Sequence, residues 1–222
     1  MSEPALVVVD MQGYFCDRSS VLARLMAGLV APDGGAWYFD SLPRVVENIG
    51  RLLATFRERG LPIVFTEFGS HTADGRDLPP WARRMNDAAL AAFGERCFPP
   101  LTDPAARVID DLRPAVGEAV FTKSTSGPLA GTRIDAPLAA VNADPVVVTG
   151  VMTDMCVTGM TRELADSGFE VTLVGDACST FIEASHQWSI QFLGGSFATT
   201  AETAAVIDLM SPAAHAPGPF DP

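Results

Sequence analysis

Five short runs of apolar, mostly β-branched residues recur along the chain, and between them the apolar spacing changes to that of helices. ALVVVD (5–10), LPIVFTEF (61–68), EAVFTK (118–123), PVVVTGV (145–151) and EVTLVGDA (170–177) lack the alternation of a half-exposed strand. Each therefore reads as a strand buried on both faces. Val45, Val46, Ile49, Leu52, Leu53 and Phe56 sit at helical spacing before Gly60, and a second helix from Met155 to Ala165 closes at Gly168. His186–Leu193 and Glu202–Met210 read as further helices, with SFATT (196–200) between them as a sixth strand. Strand–helix alternation of this kind leaves one economical solution. It is an α/β fold of three layers, α/β/α, around a mostly parallel six-stranded, Rossmann-like sheet. We expect one domain over residues 1–210 and a loosely ordered, Pro-rich tail over 211–222.

In such sheets chemistry gathers at the carboxyl ends of the strands. Asp10 ends the first run, Lys123 ends the third, and Cys156 follows the fourth where strand gives way to helix. Taken singly, each has a bland reading. A free cysteine is usually a small buried apolar group, a strand-end lysine a solvated charge, and an aspartate there a cap or an arginine partner. Taken together they supply a thiol, a proton carrier and a cation. The helix N-terminus would lower the thiol pKa and offer backbone N–H groups to a developing oxyanion.

Composition narrows the partners. A net charge of −12 speaks against nucleic acid and anionic membranes, and no apolar run reaches the length of a membrane span. MSEPALVVVD lacks the basic region of a secretory signal. Cys16, Cys97, Cys156 and Cys178 are widely spaced without a CxxC pair, which fits a reducing cytoplasm.

The motifs VVVDMQGYF (7–15), FTKSTSGPLAGT (121–132) and VVVTGVMTDMCVTGMTRELADSGFEVTLVGDA (146–177), in that order, resemble those of the isochorismatase-like cysteine hydrolases. That family includes nicotinamidases, N-carbamoylsarcosine amidases, and ureidoacrylate and biuret hydrolases. The resemblance spans about Ala5 to Leu209. It implies a catalytic triad of Asp10, Lys123 and Cys156, a cis peptide between Val151 and Met152, and an oxyanion hole from the Met152 and Cys156 N–H groups. It also implies a homodimer or homotetramer. In the implied chemistry Cys156 attacks a carbonyl carbon, Asp10 carries the proton to the departing nitrogen, and water cleaves the thioester.

Nicotinamidases of that family bind a metal through Asp-x-His and a further His. Here the corresponding FTEFGSHTADGRD has Glu67 and His71 but no paired histidine, so neither metal nor other cofactor is expected. Tyr14, Phe15, Phe68, His71 and Trp81 are candidate walls of a substrate pocket, Thr125 or Ser126 a loop tie, and Arg133 a partner for a substrate carboxylate. The two irregular segments, 17–41 and 69–104, follow strand ends and could enclose that pocket. The expected activity is metal-independent hydrolysis of a small amide or ureide. The rivals are isochorismatase-like or lactam and other acyl hydrolysis, and an inactive binding protein on the same fold.

Overall fold

The computed structural model describes residues 3–31, 33–128, 134–141 and 143–210. The expected tail at 211–222 and Arg133 lie outside the described residues. Six strands form one parallel sheet: β1 (Glu3–Val9), β2 (Ile63–Phe68), β3 (Ala119–Lys123), β4 (Ala143–Val151), β5 (Val171–Ser179) and β6 (Thr199–Ala201). Their order is β3-β2-β1-β4-β5-β6. The chain runs outward from β1 to one edge, then returns to β4 and runs to the other. The gap between the carboxyl ends of β1 and β4 is thus the switch point, where parallel sheets hold ligands.

Both faces are covered along the central strands, which is why β1, β2 and β4 read as unbroken apolar runs; the edge strand β3, expected to be buried on both faces, is only partly buried and leaves Val120 exposed. Along β1, Leu6 and Val8 join a core with Phe65, Val147 and Val174, while Ala5, Val7 and Val9 join a second core with Val146, Val148 and Leu173. On the first face lie α2 (Val21–Leu29), α3 (Ala36–Glu58), α4 (Pro80–Phe93) and α8 (Thr203–Met210), with the short α1 (Gly13–Cys16) at the end of the sheet. On the second lie α5 (Asp135–Ala140), α6 (Thr158–Asp166) and α7 (Glu183–Gly194).

The segment 17–41 is more helical than its turn-rich sequence suggests. Ser20 caps α2 by accepting from the Ala23 N–H at 3.1 Å. Asp33 accepts from the Gly35 and Trp37 N–H groups at 2.9 and 2.7 Å, which starts α3 at Ala36, two turns ahead of the apolar periodicity. α3 then continues through Pro43.

Gly150 lets β1 and β4 approach at the switch point. It pairs with Val9 in register, has φ of +112°, and a Cβ there would lie 2.1 Å from the Val9 carbonyl oxygen. Any side chain at this position would separate the two strands that carry Asp10 and Cys156.

Candidate active site

Asp10 leaves β1 with φ of +50°, a backbone conformation a non-glycine residue rarely adopts. Its N–H faces the Thr66 carbonyl at 3.2 Å, and the Thr66 hydroxyl donates to Asp10 Oδ1 at 2.6 Å. The other carboxylate oxygen takes the Lys123 ammonium at 2.7 Å. Both side chains of this ion pair are 0% exposed.

Lysine is needed because of distance. β3 is separated from β1 by β2, so a group on β3 must span two inter-strand spacings, roughly 9–10 Å. Lys123 lies opposite Phe68 in register and crosses that ring, its nitrogen 5.1 Å from the centroid. The remaining ammonium protons point to the Thr125 and Ser126 carbonyls at 3.1 and 3.4 Å. Thr125, expected as a loop tie, donates its hydroxyl to the Gly127 carbonyl at 2.8 Å.

Cys156 sits in a five-residue π-helical turn, Thr153–Val157, between β4 and α6. Such wide turns inside helices recur at functional sites. The peptide before it, Val151–Met152, is cis. The thiol is buried and interacts directly with the side chains of both Asp10 and Lys123. The expectation of a lowered thiol pKa needs correction. Burial pushes Cys156 up to about 12; Lys123 pulls it down, but Asp10 pushes it up again. Lys123 moves upward too, because Asp10 and the thiol outweigh the opposing effect of burial. The resting state is therefore a neutral thiol beside an ion pair.

A cavity of about 340 Å³ opens above Cys156 and Met152. Phe15, Phe68 and Trp81 line it, as the sequence suggested. Tyr14 and His71 do not. The Tyr14 ring is buried and its hydroxyl donates to the Phe68 carbonyl at 2.8 Å, which places it beneath the wall. His71 is exposed. Asp77 gathers the backbone there, accepting from the His71 N–H at 2.8 Å and from Ser70 Oγ, and His71 is not among the residues that line the cavity. Glu67 is engaged by Arg107 at 3.0 Å and by the Val108 N–H at 3.1 Å.

Several contributors escaped the sequence reading. Leu22 and Met26 of α2 form one wall, and Phe98, Met155, Phe181 and Ile182 complete others. Gln12 is wholly buried and holds Phe68 from both sides. Its Oε1 accepts from the Phe68 N–H at 2.8 Å, and its Nε2 donates to the Phe68 and Ala106 carbonyls at 2.9 and 2.6 Å. Its position two residues after Asp10, at the end of a buried strand, was the available signal. Thr153 bonds His186 Nδ1 at 2.9 Å, and Thr180 donates to Asp154 at 2.6 Å, pinning the start of the nucleophile turn.

A parallel α/β sheet with a buried acid, lysine and thiol at its switch point defines a narrow class of α/β hydrolytic site. The family description "Isochorismatase domain" matches residues 4–205, and the chain belongs to the isochorismatase family of hydrolases. It is 26% identical over 196 residues to the ureidoacrylate amidohydrolase RutB of Serratia proteamaculans, covering 86% of this chain and 72% of that protein. It is 20% identical over 198 residues to the N-carbamoylsarcosine amidase of an Arthrobacter species, covering 87% and 72%. The crystal structure of a cysteine hydrolase from Pseudomonas syringae pv. phaseolicola superposes with a TM-score of 0.75 at 20% identity, over 94% of this chain and 92% of the other. Among the described residues no helix is long and apolar enough to cross a membrane.

Proposed function

We propose that this protein hydrolyses a non-peptide carbon–nitrogen bond of a small amide or ureide through a thioester on Cys156. The observation that carries the reading is the thiol packed against the buried Asp10–Lys123 pair at the floor of a cavity. Relatives that act as amidohydrolases lend it weight.

Because the thiol rests protonated, attack and proton removal go together. Cys156 Sγ bonds to the carbonyl carbon as its proton passes to Asp10, and the carbonyl oxygen becomes an oxyanion. We assign as donors to that oxygen the N–H groups of Met152, which precedes the π-helical turn, and of Cys156 within it. Collapse of the adduct breaks the carbon–nitrogen bond, and Asp10 returns the proton to the departing nitrogen. Water then attacks the thioester, Asp10 takes its proton, and the sulfur leaves and is reprotonated. Lys123 keeps Asp10 oriented through these transfers, and its two backbone acceptors fix its own position.

The test is release of ammonia from a panel of neutral amides, ureides and carbamoyl compounds by the wild-type protein and Cys156→Ala. Turnover lost in the variant supports the reading; equal turnover by the variant refutes it.

A further inference from the structure

We infer, on the reading that Cys156 is the acylating nucleophile, that the preferred substrate is an uncharged primary amide or ureide with an apolar substituent. One of similar size bearing a carboxylate should be a poor substrate. Three aromatic rings make the wall nearest β2. Phe68 and Trp81 stack with centroids 5.8 Å apart, and Phe98 meets them edge-on at 5.1 and 5.8 Å. Leu22 and Met26 face the cavity from α2, and Phe181 and Ile182 from the end of β5. Among the described lining residues the only polar side chains besides Cys156 are Asp154 and Thr180, and these bond each other.

No lysine, arginine or histidine is among those lining residues. The Lys123 ammonium offers no substitute. It is wholly buried, and its protons go to Asp10, Thr125 and Ser126. A substrate carboxylate in this space would lose its hydration, gain no cation from the described lining residues, and meet the Asp154 carboxylate. An apolar group would instead shed water against rings and thioethers. Met26, Met85, Met152 and Met155 all line the space and can adjust to its shape. About 340 Å³ equals the liquid volume of roughly eleven waters, enough for a six-carbon chain or one aromatic ring beside the amide.

Hexanamide and adipamate form a matched pair in which a carboxylate replaces the terminal methyl. We expect kcat/KM for ammonia release at pH 7.5 to be at least 100-fold higher for hexanamide. Trp81→Ala should lower kcat/KM for hexanamide at least tenfold more than it lowers that for acetamide. Equal or better use of adipamate overturns the inference and leaves the hydrolytic reading standing. Equal loss on hexanamide and acetamide in Trp81→Ala also overturns it. If neither amide is cleaved, the hydrolytic reading loses its support, and binding to Cys156→Ala then decides the pocket question. A higher melting temperature with hexanamide and none with adipamate supports an apolar, anion-excluding site; any other pattern overturns it.

Discussion

Lys123→Met removes the cation from a pair in which both side chains are 0% exposed and 2.7 Å apart. Methionine nearly preserves the length and volume of the stem, so the main effect is an uncompensated Asp10 carboxylate. Breaking a buried pair from one side costs about 3–5 kcal/mol. For a chain of this size that lowers the melting temperature by about 6–20 °C. Asp10→Asn strands the ammonium and should cost a similar amount, about 3–5 kcal/mol. The double variant buries neither charge. What it loses is the lysine's bonds to the Thr125 and Ser126 carbonyls, a penalty of about 1–3 kcal/mol. The double-mutant cycle should therefore show a coupling of at least about 3 kcal/mol, with the double variant more stable than either single one. Urea unfolding followed by far-UV circular dichroism measures all four proteins without reference to activity. Losses that add to within about 0.5 kcal/mol would refute the ion-pair argument.

Three further outcomes follow from burial and backbone geometry. With its thiol pushed up to about 12, Cys156 should react with iodoacetamide at a rate that climbs tenfold per pH unit up to at least pH 10; a plateau near pH 7, read by peptide mass spectrometry, would mean a thiolate at rest. Burial also raises Cys16 and Cys97 to about 12. A raised folded-state pKa contributes stability that is complete below the ordinary thiol value and is lost as pH rises toward the folded one, so the melting temperature should fall between about pH 9 and pH 11; a flat calorimetric profile there would contradict it. Gly150→Ala places a methyl 2.1 Å from the Val9 oxygen at φ of +112° and should cost more than about 4 kcal/mol; a soluble variant with a wild-type urea midpoint would show that the β1–β4 approach is not as tight as described.

The strand ends were legible because each is a chemical anomaly in an apolar run. Asp10 and Lys123 close apolar-rich strands as charged residues that are themselves buried, and Cys156 stands where the pattern changes from strand to helix. Strand order was less so, and it decides that Lys123 must reach over Phe68 to meet Asp10. The protonation state of Cys156 was misjudged because the helix-terminus rule sees the dipole and not the desolvation, and full burial reversed the direction. Most of the cavity wall also escaped. Leu22 and Met26 belong to a segment that reads as turns, and helix α2 forms there through the Ser20 cap. His71 was drawn toward the site by its place in the segment after the second strand, whereas its backbone is tied to Asp77 and its side chain is exposed. Where side chains point was a matter of tertiary contacts that no periodicity encodes.

The account stands on covalent chemistry at one sulfur. Rapid quenching of the wild-type protein with hexanamide into acid, followed by intact-mass and peptide-level mass spectrometry, reads that directly. The expected result is a hexanoyl adduct confined to the Cys156 peptide, formed within one turnover and absent from Cys156→Ala. Turnover with no adduct at any quench time, or the adduct on another residue, would contradict it.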